Sequence, residues 1–147
     1  MKRRLFLATA LLPAVVQAQQ QPPLIGVMRV NARSAELFEP LFRRDMARLG
    51  WQEGKSYRTQ FLWADGDTSR LPAMARELVK SRATVIVPFG NAAMAAAQAA
   101  TKEVPIVGMS DDLVGAGLVP SMARPGGNTT GVSIMESCTS SPPKRTA

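Results

Sequence analysis

This sequence predicts an α/β fold built on a doubly wound parallel sheet, and three observations predict it. Apolar runs at residues 24–30, 84–87 and 105–109 are nearly continuous, as strands covered on both faces require. Segments of helical periodicity separate them. One further run alternates: Tyr57, Thr59, Phe61 and Trp63 face one way, and Arg58 and Gln60 the other. That is the pattern of a half-exposed edge strand.

The first helix is expected over residues 36–49. Phe38, Leu41, Phe42, Met46 and Leu49 fall within about 140° of arc at 100° per residue, and Gly50 stops the helix at C′. Asp45 sits inside that arc without an evident reason. In the second helix Leu71, Met74, Ala75, Leu78 and Val79 form one stripe, opposite Arg70, Arg76, Glu77 and Lys80. Pro72 suits its first turn. The third, residues 91–100, is dominated by alanine and can pack close to a sheet. With a fifth strand at 130–134, the order is β-α-β-α-β-α-β followed by a strand. Three buried strands and an edge strand in second place match the flavodoxin-like order 2-1-3-4-5.

In that order ligands lie beyond the carboxyl ends of the strands. Three loops converge there: Asn31, Ala32, Arg33 and Ser34 after the first strand, Gly90, Asn91 and Ala92 after the third, and Asp111 and Asp112 after the fourth. Helix N-termini beginning near Ser34 and Asn91 suit a carboxylate. Gly90 lets a ligand approach the backbone, and Asp111 or Asp112 can pair with an amine. An amino acid has both groups. Ser34 and Asn91 also read as plain helix caps, Asp111 and Asp112 as first-turn helix residues, Arg33 as a solvated charge and Trp63 as edge packing.

Composition narrows the function. The chain has 147 residues, 46% hydrophobic and 20% charged, an ordinary globular balance for one domain. Its net charge of +7 includes Lys2, Arg3 and Arg4. Without them 15 basic residues face 11 acidic ones, a net of +4, and Lys144 and Arg145 near the C-terminus carry two of those charges. The remaining basic residues are scattered, which argues against nucleic acid. There is no histidine and a single cysteine, Cys138. That removes the commonest general base and metal ligand and any Cys/His zinc set. Neither G-x-G-x-x-G after the first strand nor G-x-x-x-x-G-K nor G-x-S-x-G occurs. No catalytic residue, cofactor or metal is expected. Asn128-Thr129-Thr130 matches a glycosylation sequon, which a bacterial chain would not use.

Residues 1–18 read as a cleavable signal peptide: basic residues, an apolar stretch too short to span a bilayer, and Ala18 before the cleavage point. Arg3-Arg4-Leu5-Phe6-Leu7 also fits a twin-arginine core, so Sec and Tat export both remain open. The expectation is a periplasmic protein with a flexible leader at residues 19–23 and a lobe over residues 24–136.

The sequence resembles the ABC transporter substrate-binding proteins of the tryptophan/tyrosine-binding type, with the type I periplasmic binding fold. The resemblance is carried by the leader ending in Ala18-Gln19-Gln20 and by Trp63-Ala64-Asp65-Gly66 with Arg70-Leu71-Pro72-Ala73. It is carried further by Val85-Ile86-Val87 with Gly90-Asn91-Ala92-Ala93. The most specific stretch runs from Leu118 through Arg124-Pro125-Gly126-Gly127-Asn128-Thr129-Thr130-Gly131-Val132 to Ser133. It implies a single lobe of a two-lobed protein, in which the Asn31, Asn91 and Asp111 loops form one cleft wall. It implies that residues 124–131 are structural, with glycines chosen for backbone geometry. It also implies a small-molecule ligand and, where a second lobe is present, an ABC permease as partner. Residues 137–147 have no periodicity and read as an out-of-frame tail, so a truncated, weakly binding or non-functional product is expected. A stand-alone extracytoplasmic sensor or binding module is the alternative.

Overall fold

The computed structural model describes residues 21–33 and 37–134. The expected signal peptide, the first two residues of the expected leader, Ser34 and the tail lie outside the described residues. The elements are β1 (Leu24–Arg29), α1 (Phe38–Arg48), β2 (Arg58–Trp63), α2 (Leu71–Lys80), β3 (Val85–Pro88), α3 (Asn91–Ala100), β4 (Ile106–Ser110) and β5 (Thr129–Ser133). All strand pairings are parallel, and the sheet order is β2-β1-β3-β4-β5. The predicted fold class and strand order are those observed.

The two sheet faces are covered unequally. Helices α2 and α3 pack on one face, where Leu71, Met74, Ala75, Leu78, Ala93, Met94 and Ala97 join Met28, Ile86 and Ile106 in the core. Glycines in the strands make room for them. A Cβ on Gly26 would stand 2.8 Å from the Leu78 methyls, and one on Gly108 1.8 Å from Met94 Sδ. The alanines of α3 permit this approach.

Helix α1 lies on the other face, over β2 and β1, and touches it through rings. Phe38 and Phe42 meet Phe61 edge-on at 6.2 and 6.0 Å, and Phe42 meets Tyr57 at 6.2 Å. No residue of α1 is fully buried. Leu41 and Leu49, placed in the apolar arc by sequence, are exposed at 42% and 74%. The arc predicted a wider contact than the helix makes. Asp45 is accordingly at the surface, 2.9 Å from the Arg44 guanidinium. Gly50, at φ +86°, ends the helix as expected. Its N–H donates to Ala47 O, and the Trp51 N–H donates to Met46 O, closing a Schellman motif.

Two family-like stretches prove to be braces. Arg70 donates to Ala64 O at 3.1 Å and to the Asp65 carboxylate at 2.9 Å, fixing the turn after β2. Asn128 donates to Val104 O at 2.7 Å and to Thr101 O at 3.3 Å, locking the entry to β5 against the α3–β4 connection. Gly126 and Gly127, at φ +70° and +56°, turn the chain into that position. Among the described residues no helix is long and apolar enough to cross a membrane.

Candidate functional site at the carboxyl edge of the sheet

A fully parallel sheet gathers every strand's carboxyl end at one edge, so the loops after β1, β3 and β4 share it. After β1, Asn31 and Arg33 are exposed and Ala32 is half-buried. Arg33 reaches Glu39 only at 3.9 Å with its side chain 73% exposed, so it is a solvated charge. Helix α1 begins at Phe38 behind Leu37, with no side-chain cap; the predicted cap, Ser34, lies outside the described residues.

The loop after β3 is stapled to both neighbouring strands. The Phe89 N–H donates to Met28 O at 3.0 Å, and the Gly90 N–H to Met109 O at 2.7 Å. Gly90, at φ +90° and ψ 157°, is itself the N-cap of α3, in a conformation an L-residue with a side chain resists. The expected Asn91 cap is therefore corrected. Asn91 is the first helical residue, and its side-chain oxygen accepts a hydrogen bond from the Ser110 hydroxyl at the end of β4. Ala92 is exposed in the same first turn.

After β4 the chain forms turns, not the helix that one reading of Asp111 and Asp112 required. Asp112 Oδ1 accepts the Gly115 N–H at 2.7 Å, so its carboxylate folds back on its own loop. Asp111 is exposed. The Leu113 N–H donates to Ser133 Oγ, and the Ile134 N–H to Ser110 O, tying this loop to β5. The structure thus brings Asn91 and the β4 end together, and leaves Asp111 as the solvent-facing carboxylate beside them.

Sequence reasoning missed the most tightly built part of this edge. Arg29, the last residue of β1, is in register with Trp63, and Phe89 follows β3 on the other side. Its guanidinium carbon lies 4.6 Å from the Phe89 ring centroid, 4.7 Å from Phe38 and 5.8 Å from Trp63. Phe38 and Phe89 meet edge-on at 4.9 Å. Trp63 stacks on Phe61 and is 9% exposed, and its buried Nε1 has no hydrogen-bond partner, which costs about 1–3 kcal/mol. The signal in the sequence was one basic residue ending an apolar strand.

Other concavities lie away from this edge. A recess of about 330 Å³ at the amino ends of β4 and β5 is lined by Pro105, Val107, Gly126 and Gly127 among others, with no charged side chain. A smaller one of about 160 Å³ lies between α2 and α3. Among the described residues no three His, Cys, Asp or Glu side chains cluster to hold a metal ion.

Comparison with known proteins places this architecture. The chain is similar to a tyrosine-binding protein of Clostridioides difficile, 33% identical over 93 residues, covering 63% of this chain and 27% of that one. Among solved structures it matches a ligand-free, open substrate binding protein with adhesive properties from Clostridium difficile. The TM-score is 0.70 at 25% identity, over 79% of this chain and 40% of the other. It also matches an ABC domain in complex with L-Trp from Streptococcus pneumonia, with TM-score 0.67 and 29% identity, covering 77% and 39% of the two chains. A conserved domain protein from Vibrio cholerae gives TM-score 0.68 and 27% identity, over 80% and 40%. The chain therefore spans about two-fifths of those structures and about a quarter of the curated relative. The family profile of ABC transporter substrate binding proteins matches residues 42–141, from the middle of α1 past the end of β5. Since that match takes in most of the sheet and both helices of its packed face, the chain belongs to the ABC transporter substrate binding protein family.

Proposed function

We propose that this chain forms one wall of a binding site for a small amino-acid solute, presented at the carboxyl edge of its sheet, and that it does so outside the cytoplasm for an ABC importer. The observation that carries the reading is the likeness to the structure in complex with L-Trp, 29% identical over 77% of this chain. The edge has the chemistry for such a solute. Arg29 is cationic, Asp111 is an exposed carboxylate, and the rings of Phe38 and Phe89 are half-buried beside the buried Trp63. The role proposed is binding and delivery, with no bond made or broken. Asn31, Asn91 and Asp111 line the wall, and the permease is the membrane partner.

The test is a thermal-shift panel of the proteinogenic amino acids against the full chain. A ligand that binds only the folded state stabilises it by about 2.7 kcal/mol at a hundredfold excess over Kd, a shift of several degrees for a domain of this size. Upward shifts confined to aromatic amino acids are expected. No shift with any of them at millimolar concentration would sink the reading.

A further inference from the structure

We infer that the half of the sheet face left bare beside α1 is an interface, and that its occupant is the same half-face of a second copy of this chain, related by a two-fold axis running along β4. The inference does not rest on the binding role proposed above.

Side chains alternate between faces along a strand. On β4, Ile106, Gly108 and Ser110 are buried on the α3 face, while Val107 and Met109 point the other way and are exposed at 43% and 38%. Across the register, Thr130 pairs with Val107 and Val132 with Met109. Thr130 and Val132 are exposed on that same face, and Ile134 just beyond them is 63% exposed. Val85 and Val87 of β3 extend the patch, half-buried, toward α1. None of these side chains is charged. Val27 of β1 shows what cover achieves: it lies on the same face in register with Val87, and beneath α1 it is 1% exposed. A contiguous apolar patch of this kind, with polar residues at its rim, is the mark of an interaction surface.

The shape of the face selects the partner. Helix α1 covers β2 and β1 and nothing among the described residues covers β3, β4 and β5, so this side of the sheet is a step one helix high. A helix is about 10 Å thick, and a stacked sheet sits about 10 Å away. A second copy turned by 180° about the direction of β4 therefore fits. Its β5, β4 and β3 lie over β3, β4 and β5 of the first, and its α1 stands beyond the first copy's β5. Each step fills the other, with one patch serving both sides, as an isologous interface requires. The flank of α1 that meets the partner's β5 is apolar at Leu37 and Leu41, exposed at 74% and 42%. These lie about 160° round the helix from Glu39 and Arg43, whose ion pair extends to Glu53 just before β2. The strand it meets, Thr129–Ser133, is a sheet edge with neither the charge nor the proline that guards such edges. Patch and flank together offer about 600 Å² per copy, or about 1,200 Å² in all, the lower bound for a stable interface.

Sedimentation velocity of the full chain tests this. A dimer with a dissociation constant in the micromolar range is expected from an interface of this size. Raising the salt concentration should leave it intact, because no ion pair holds it. Met109→Lys and Val132→Lys place a charge in the patch, and Leu41→Lys places one on the flank. Each should weaken the dimer by about tenfold or more. Ala99→Lys, at an exposed position of α3 on the other face, should not. All four sites are exposed, and circular dichroism checks that each variant folds; if one of the first three does not, the other two decide. A wild-type chain that stays monomeric at about 100 micromolar, far above the expected constant, overturns the inference, whether another partner or a segment outside the described residues then covers the face. A dimer that none of the three substitutions weakens runs through another surface and overturns it as well. A dimer lost in the two sheet variants but kept by Leu41→Lys overturns the interlocked arrangement.

Discussion

The buried hydroxyl of Ser110, at the end of β4, donates to the side-chain oxygen of Asn91, the first residue of α3. One bond thereby joins two of the loops at the carboxyl edge. Ser110 is 1% exposed, whereas Asn91 is exposed, so the two partners are not equivalent. Asn91→Ala strands a buried hydroxyl, and a stranded buried polar group costs about 1–3 kcal/mol. Alanine's better helix propensity returns at most about 0.7 kcal/mol. Ser110→Ala removes the buried group and leaves an amide that water can reach. Urea unfolding should show Asn91→Ala as the more destabilised variant, by about 1 kcal/mol. The reverse order would mean that water already reaches Ser110.

Gly108 and Gly131 are register partners across β4 and β5, and adding a methyl to each should have unequal effects. A Cβ on Gly108 would stand 1.8 Å from the Sδ of Met94, and one on Gly131 would stand 2.1 Å from the carbonyl oxygen of Gly108. A thioether can swing aside; a ladder carbonyl cannot move without parting the strands. Gly108→Ala should therefore cost about 1–2 kcal/mol and Gly131→Ala about 3 kcal/mol. Denaturant midpoints of the two variants check the ranking.

What the sequence made legible follows from the range of each signal. Strands showed as apolar runs, although β4 is buried on one face only: Val107 and Met109 are exposed at 43% and 38%. The third helix was expected at residues 91–100, and α3 spans Asn91–Ala100. Gly50 was read as a stop because a positive φ has few candidates. The unread features are all juxtapositions. Arg29 and Trp63 are far apart in the chain, and only the strand register brings them together. Asn91 looked like a cap because its locally available partners were backbone N–H groups; its actual partner, Ser110, arrives from the next strand. The arc of α1 was overread because periodicity reports which residues are apolar, not how much sheet lies beneath them. Asp112 looked free for a ligand because its bond to the Gly115 N–H depends on a turn with no periodic signal.

Asn128 makes the family-like stretch before β5 testable as structure. Its amide donates to Val104 O and Thr101 O. Asn128→Ala leaves both carbonyls without that donor and should cost about 2 kcal/mol, at about 1 kcal/mol per lost bond. Asn128→Asp should cost more at pH 7, because it turns a carboxylate toward two carbonyl oxygens. Protonation restores one donor, so that extra penalty should shrink as the pH falls. Thermal unfolding of both variants at pH 7 and pH 4 checks this. A penalty for Asn128→Asp that is the same at both pH values would show that the amide does not donate.

Glu53 gives the acid side of the stability profile a named contributor. Partial burial raises its carboxyl pKa, but hydrogen bonds from the Arg43 guanidinium and the Thr59 hydroxyl outweigh burial. The net position is below the ordinary value of 4.5. Arg43 also holds Glu39 at 2.6 Å, so the pair ties α1 to the segment before β2. A carboxyl depressed in the folded state binds fewer protons there than in the unfolded chain. Its contribution is complete above the unfolded value and is lost as pH falls through the folded one. Both side chains are about a third or more exposed, so solvent screening limits the pair to about 1 kcal/mol at most. Glu53→Gln should therefore be less stable than wild type by up to about that amount at pH 7, and the two should converge below about pH 4. Asp67, held below its ordinary value by the Ser69 hydroxyl and N–H, titrates in the same direction. Wild type will still lose some stability in acid after Glu53 is replaced. Melting curves from pH 7 to pH 3 separate the two: a gap between wild type and Glu53→Gln that stays constant to pH 3 would mean the Arg43 contact contributes through packing rather than charge.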